Sequence, residues 1–407
     1  MDKINCLWSF LSCYNRENKS VFSGEQNNTA IGGSMKIKTK QKIIDSAIDL
    51  FSRDSYGKVS IAQICKNAKI SNGIIYNYFR NKEELFTYLL EETSNRIEEQ
   101  FKNIEGDDLR SRMENFILLN FDITVKEFPL IRVYREGQYK FIEYEQKLRK
   151  VYLEALKVVY GRELKELEYL FIMSGIRYIN VNFVKRGLEI DEKFLAHILL
   201  HGFFNRSDLE VETFEDMDFY LRVLFNSSNK KHKLLEVGEK LFGETNYYKV
   251  TINDIAGEAQ IGVGSFYHFY ENKEIFLREI VENLKRTTLC FLKDNVQKGF
   301  SQNETHILFL YLLLEFYGKS PHKYELLRRS EFIAEDMVID YNNSLDELYI
   351  KTMEDLPYKF EEKRIISSVL LGVAHYMGIE FFFTNNIKDK GEFLKEMKNY
   401  FADGLNK

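Results

Sequence analysis

The sequence predicts an all-α protein made of two like units in one chain, each an N-terminal helix-turn-helix bundle followed by a larger helical bundle. Three observations predict it. The 407 residues include three prolines and long stretches rich in Leu, Ile, Glu and Lys, so few positions forbid a helix and many favour one. Apolar residues recur at helical spacing, as in Ile43, Ile44, Ala47, Ile48, Leu50 and Phe51, which gives one buried helical face. A fixed offset of 191 superposes residues 41–86 on 232–277 without a gap, with 15 identities in 46 positions. Composition alone would give about three.

The identities run from Lys42/Lys233 and Leu50/Leu241 to Lys82/Lys273 and Glu83/Glu274. Beyond them the repeat continues with drifted spacing. Pro129 and Pro321 stand 192 apart, Arg135/Arg328 and Tyr139/Phe332 follow, and Ser174-Gly175-Ile176 pairs with Leu371-Gly372-Val373. His201-Gly202-Phe203 pairs with Asp403-Gly404-Leu405. The expected organisation is a flexible tail over 1–34, a first helix-turn-helix domain over 35–86 and a first helical domain over 87–205. A linker over 206–230, acidic and then Asn/Ser-rich, leads to a second helix-turn-helix domain over 231–277 and a second helical domain over 278–407. In the tail, Leu7, Trp8, Phe10 and Leu11 fit a short docking turn, without the apolar core of a signal peptide.

Within the first copy the opening helix should stop near Tyr56-Gly57. Ser60 then sits as an N-cap before a short second helix, and Thr251 plays the same part before Ile252. After the turn Ala68-Lys69-Ile70-Ser71, a helix is expected from Asn72 to Phe79, and Asn81-Lys82-Glu83 opens a fourth. Two short helices across a tight turn form a helix-turn-helix.

The segment Ser60-x-x-x-Ile64-x-x-x-Ala68-x-Ile70-Ser71-x-Gly73-x-Ile75-Tyr76-x-Tyr78-Phe79-x-Asn81-Lys82-Glu83-Glu84-Leu85 resembles the DNA-binding motif of the TetR family of transcriptional regulators. The second copy resembles it independently through Thr251, Ile255, Ala259, Ile261, Gly264, Tyr267, Phe269 and Asn272-Lys273-Glu274. The resemblance implies a double-stranded DNA operator as partner. It places Tyr76, Tyr267, Lys82 and Lys273 on phosphate, where a helix N-terminus adds its positive end, and the capping residues Ser60 and Thr251 are expected among the DNA contacts as well. Base edges are expected to meet the start of the recognition helix: Ser71, Asn72 and Ile74 in copy one, and Gly262, Val263 and Ser265 in copy two. Asn77 and His268 lie one residue past the tyrosines, within reach of base or backbone. Ile75/Phe266 and Tyr78/Phe269 are expected in the core.

Local charge separates the copies. Residues 35–86 hold ten Lys/Arg against five acids, a net of +5, whereas 229–277 hold six against seven, a net of −1. Lys36, Lys38 and Lys40 alternate before the first helix as a basic arm would. Copy one is therefore expected to supply most of the affinity and copy two to set register. The alternative is that the second helix-turn-helix no longer touches DNA and the chain is a ligand-binding or protein-interaction module.

The resemblance also implies that the larger halves pack as a dimer and enclose an effector, a small apolar or amphipathic molecule whose binding releases a repressor from DNA. Relatives act as homodimers, so this chain is expected to be either a monomeric pseudo-dimer or a homodimer. No cofactor is expected. His197 and His201 share a helical face, but no further ligand lies near them in sequence. Catalytic constellations are absent, which excludes an enzyme reading. The scattered Cys6, Cys13, Cys65 and Cys290 point to a reducing compartment, the cytoplasm. No apolar run approaches the roughly 18 residues of a membrane span; the strongest is Ile307 to Leu314.

Overall fold

The computed structural model describes residues 31–220, 229–245 and 247–406, and the expectations for residues 1–30, with Cys6 and Cys13, lie outside them. Among the described residues there are helices and no strand. The first unit runs α1 (Ile31–Arg53), α2 (Ile61–Asn67), α3 (Asn72–Ile75), α4 (Lys82–Phe101), α5 (Leu109–Lys126), α6 (Phe128–Lys140), α7 (Ile142–Tyr160), α8 (Glu166–Arg186) and α9 (Glu192–His201). The second repeats it as α10 (Lys230–Glu244), α11 (Ile252–Glu258), α12 (Val263–Phe269), α13 (Lys273–Asp294), α14 (Gln302–Gly318), α15 (Pro321–Ser330), α16 (Glu335–Thr352), α17 (Phe360–Ile379) and α18 (Lys390–Asp403). Each helix of one unit has its counterpart in the other, so the faint half of the repeat is structural as well.

Local sequence explains the ends. Ser60, Thr251, Asp108 and Ser301 close capping boxes with Gln63, Asp254, Ser111 and Glu304, and the Asn81/Asn272 pair caps α4 and α13 through the side-chain oxygen alone. Pro129 and Pro321 sit in the first turn of α6 and α15, where a missing N–H costs nothing.

Three expected boundaries shift. Residues 31–34 belong to α1 rather than to the tail. The divisions at 86/87 and 277/278 fall inside α4 and α13, because one continuous helix carries each head into its sensor bundle. The linker is not a plain spacer: Val211 and Phe214 form a turn of 3₁₀-helix and are buried, with Phe214 against Phe300 and Tyr311.

The units meet mainly where α8 crosses α17, with α9 and α18 alongside. Both crossing helices are apolar almost all round, as a helix flanked on every side must be. At the crossing a Cβ on Gly372 would run against the Ser174 carbonyl, so the repeated glycine sets how near the backbones come. The α17 helix with its following turn, Phe360–Thr384, is long and apolar enough to cross a membrane by composition, which the sequence did not suggest; 78% of its most apolar 18-residue window is buried, as in a central core helix. At the far end the repeated His-Gly-Phe and Asp-Gly-Leu segments clasp each other. Phe203 and Phe204 N–H donate to the Phe401 carbonyl at 2.8 and 2.9 Å, and Leu405 N–H donates to the Leu199 carbonyl at 2.9 Å. Gly202 and Gly404 take φ of +78° and +64° there, which glycine adopts without penalty.

Candidate nucleic-acid interface

In each head the turn of the helix-turn-helix is made by a residue in the left-handed region, Lys69 at φ 56° and Gln260 at φ 55°. The chain then closes back through Ile70 N–H to the Cys65 carbonyl at 3.0 Å and Ile261 N–H to the Ala256 carbonyl at 2.9 Å. Ile64, Cys65, Ile75 and Phe79 fill the first head's core, and Ile255, Ala256, Phe266 and Tyr270 the second's. Ile75 and Phe266 are fully buried; Tyr78 and Phe269 are half-buried against the core.

This leaves one face outward. Ser71, Asn72 and Asn77 are exposed in head one and Ile74 is half-buried; in head two Gly262, Val263 and His268 are exposed and Ser265 is half-buried. Tyr76 and Tyr267 are each 56% exposed, so the tyrosines do not pack inside the bundle. A Cβ on Gly73, Gly262 or Gly264 would meet nothing, so no neighbour within the chain requires glycine there. The recognition helix of head one is shorter than expected: α3 ends at Ile75, and the next turn tightens as Asn77 and Tyr78 N–H reach back three residues to Ile74 and Ile75. In head two α12 runs on to Phe269.

Several residues read as DNA contacts hold the head together. The Lys82 ammonium donates to the Tyr56 and Val59 carbonyls at 2.8 and 2.9 Å and lies 4.1 Å over the Tyr56 ring. Lys273 repeats this with Tyr247 and Val250 at 2.7 and 2.8 Å. Burial lowers the pKa of both, and Lys140 lowers Lys82 further. Each lysine thus closes the loop after the first helix of its head, with one of three donors left for another partner. Ser60 and Thr251 are exposed caps. The basic arm is helical: Lys36, Lys38 and Lys40 lie within α1, and Lys40 turns to within 4.4 Å of the Tyr88 ring. Lys36 and Lys38 are exposed. Arg53, Lys58 and Arg80 pair with Asp49, Asp54 and Glu84, which trims the local positive charge.

Sequence reasoning missed how the heads are seated. The loops after α1 and α10 touch: the Tyr248 ring lies over Gly57, and its hydroxyl bonds Ser55. A cavity of about 290 Å³ opens beneath, between the heads and α6 and α15. In unit one, Tyr56 N–H donates to both Glu136 carboxylate oxygens at 2.9 Å. Burial pushes the Glu136 carboxyl up to about 7. In unit two, Arg329, the repeat mate of Glu136, donates to the Thr245 carbonyl at 2.9 Å. No sequence-local signal marks these two contacts, because their partners lie 80 and 84 positions apart, although Arg329 also pairs locally with Glu325 at 2.5 Å.

The sensor bundles enclose two small cavities. One, of about 90 Å³, is lined by Leu313, Tyr317, Tyr324, Val338, Leu345 and Met377 of unit two and closed by Tyr178 and Lys185 of unit one. The other, of about 40 Å³, lies in unit one, where Gln138 Nε2 and Asn180 Oδ1 are buried without a hydrogen-bond partner. The His197 and His201 rings lie 5.0 Å apart, tilted by 42°, and no group of three or more metal-ligating side chains occurs among the described residues.

The comparisons agree with the two heads. A profile described as "Bacterial regulatory proteins, tetR family" matches residues 43–89 and again 234–280. An uncharacterized HTH-type transcriptional regulator of Bacillus subtilis is 27% identical over 203 residues, 44% of this chain and 69% of its own length. A fatty acid metabolism regulator protein of the same organism is 28% identical over 156 residues, 37% of this chain and 72% of its own. Among solved structures, a fatty acid degradation regulator from Bacillus halodurans is 16% identical, covers 44% of this chain and 98% of its own, and aligns with a TM-score of 0.39. With the motif present twice, each time on a folded helix-turn-helix, the chain carries in tandem two DNA-binding domains of the TetR family of transcriptional regulators.

Proposed function

We propose that the chain works as a covalent pseudo-dimer in the cytoplasm, a repressor that reads an asymmetric operator with two unlike heads and is released by a small amphipathic molecule. The observation that carries this reading is the α8–α17 crossing, which joins the two units of one chain face to face with both recognition surfaces left outward. In a homodimer the two recognition helices reach successive major grooves about 34–36 Å apart, and one duplicated chain can do the same without depending on concentration. Ser71, Asn72, Ile74 and Asn77 read bases in head one, and Ser265 and His268 in head two; Tyr76 and Tyr267 contact phosphate. Lys36 and Lys38 extend the contact from α1, and Lys82 and Lys273 add their remaining donor. Head one supplies most of the electrostatic affinity.

The effector's place is the pair of sensor cavities, whose apolar walls, together with hydroxyl, amide and charged groups such as Arg135, Lys185 and Glu331, suit a small amphipathic molecule. Both are below the usual ligand volume of roughly 300 Å³, so binding must spread the bundle and thereby move α6 and α15, on which the heads rest. The near-neutral charge and glycine-flanked tip of head two favour a second reading, in which only head one binds DNA.

Binding of Tyr76→Phe and Tyr267→Phe to the DNA upstream of the gene, followed through a salt titration, tests both readings. Two working heads give a loss for each variant, larger for Tyr76, and a steep salt slope. An unchanged Tyr267→Phe with a shallow slope selects the second reading, and no binding by the unaltered chain overturns both.

A further inference from the structure

We propose that the interface between the units is sorted by charge, so that the face of the first unit fits the second unit and rejects another copy of itself; this rests on the pseudo-dimer reading above. Glu331, with 12% of its side chain exposed, accepts from Arg135 and, at 2.8 Å, from Lys185. Lys185 also reaches Glu335 at 2.8 Å, where Arg132 joins it at 2.5 Å. Further along, Arg186 reaches Asp346 at 3.4 Å and Arg149 reaches Glu380 at 3.8 Å; at the rim Arg206 meets Asp403 at 2.7 Å. In each of these pairs the cation belongs to the first unit and the carboxylate to the second. Burial alone would raise the Glu331 carboxyl, yet Arg135 and Lys185 hold it far below its ordinary range.

The repeat shows what each charge would face in a like-with-like pairing. With Gly175 on Gly372, the mates of Lys185 and Arg186 are Phe382 and Phe383. With Arg135 on Arg328, the mates of Glu331, Glu335 and Asp346 are Gln138, Ile142 and Leu153. The mates of Arg132 and Arg135 are Glu325 and Arg328, which pair with each other inside α15, Arg328 Nε to Glu325 at 2.7 Å, so the place of Arg132 is taken by a carboxylate and that of Arg135 by a guanidinium already held within its own helix. A symmetric interface demands that a residue complement its own mate's surroundings. Two first units would seat Lys185 and Arg186 against Gln138, Ile142 and Leu153. Two second units would seat Glu335 against Glu325 and Asp346 against Phe383. Either arrangement buries charge without a counter-ion, which costs far more than a satisfied pair gains. The polarity thus works as a partner code: the fitting partner of this surface is the other half, within the chain or on another copy of it.

Charge reversal in the full chain tests the code. The unaltered chain is expected to run in light scattering at the single-chain mass of 48.3 kDa. A first-unit reversal (Arg132→Glu, Arg135→Glu, Lys185→Glu) and a second-unit reversal (Glu331→Lys, Glu335→Lys) should each lower the thermal midpoint by on the order of 10 °C or prevent folding. Co-expressed, the two reversed chains complement each other in trans and should form a species of twice the mass. The five changes combined in one chain should return the single-chain mass and most of the midpoint. A combined variant as unstable as the single reversals, a reversal without effect, or co-expressed chains that do not associate would overturn the sorting. An unaltered chain at twice the mass would instead sink the pseudo-dimer reading on which it stands.

Discussion

The two head-to-sensor joints occupy the same place in the repeat and are built with opposite polarity. In unit one a carboxylate, Glu136, takes the Tyr56 amide; in unit two a guanidinium, Arg329, gives to the Thr245 carbonyl. Their backing differs too. A Cβ on Gly243 would run into the His322 carbonyl, so α10 lies directly on α15, whereas the counterpart in α1 is Ser52, which keeps a side chain at that point. The two joints line one cavity; joint one is adjustable, held by a titratable group, and joint two is a close backbone contact beside a guanidinium that Glu325 also holds at 2.5 Å. Duplication inside one chain lets the halves diverge in this way, since neither joint has to serve both positions of a symmetric dimer.

The sharpest way to break that comparison is Glu136→Gln, which keeps an acceptor for Tyr56 and removes the charge. The Glu136 carboxyl rises from 4.5 to about 7, so between those values the folded state holds a proton that the unfolded chain has lost. Stability contributed by this group is therefore greatest below about 4.5, falls as pH rises to about 7 and is level above. The whole change amounts to about 3 kcal/mol. Thermal midpoints from pH 5 to pH 8 should fall less in Glu136→Gln than in the unaltered protein, while Arg329→Gln leaves the slope as it was. Parallel slopes for Glu136→Gln and the parent would remove the titratable joint.

Next in size is Gly243→Ala, expected to cost about 1–3 kcal/mol by forcing α10 off α15. Ser52→Ala in the looser joint should change little. Hydrogen exchange across both heads would read this directly, and equal loosening of the two would show that they are seated alike.

Lys82→Met and Lys273→Met each leave two carbonyls without their donor, a loss of about 1–2 kcal/mol. The losses should be similar, since both lysines close the same loop, and they should appear in the absence of DNA. A variant that weakens DNA binding without lowering the thermal midpoint would return these lysines to a purely phosphate role.

The smallest effect should be Lys69→Gly and Gln260→Gly. Each relieves a left-handed side-chain residue but gives the unfolded chain more freedom, so a gain below about 1 kcal/mol is expected in either head. Unequal gains would mean that the turns, alike in angle, are not alike in strain.

How far the sequence carried this follows from range. The helix-turn-helix was legible because its signals are local: the apolar period from Ile43 to Phe51, the caps Ser60 and Thr251, and a gapless repeat. Tyr76 and Tyr267 could be told from Ile75 and Phe266 by the motif, and their exposure agrees. Lys82 and Lys273 could not be assigned, because a lysine opening a helix reads alike whether it faces phosphate or curls back onto Tyr56 or Tyr247. The alternating Lys36, Lys38 and Lys40 suggested an extended arm, although a helix accommodates lysines equally well. Glu136, Arg329 and the sorted ion pairs were beyond reach, since net charge over a segment says nothing of which charges meet across an interface.

The crossing of α8 and α17 also has a consequence in time. Gly175 and Gly372 are 197 positions apart, so at roughly 5–20 residues per second a ribosome makes the second about 10–40 s after the first. Throughout that interval the first half has emerged with an apolar helix uncovered and with Arg132, Arg135, Lys185 and Arg186 beside it, without the carboxylates of the second half. Those charges keep the waiting surface soluble and repel the same surface on neighbouring nascent chains, so a polysome crowded with half-made molecules is protected from mismatched assembly until each chain delivers its own second half.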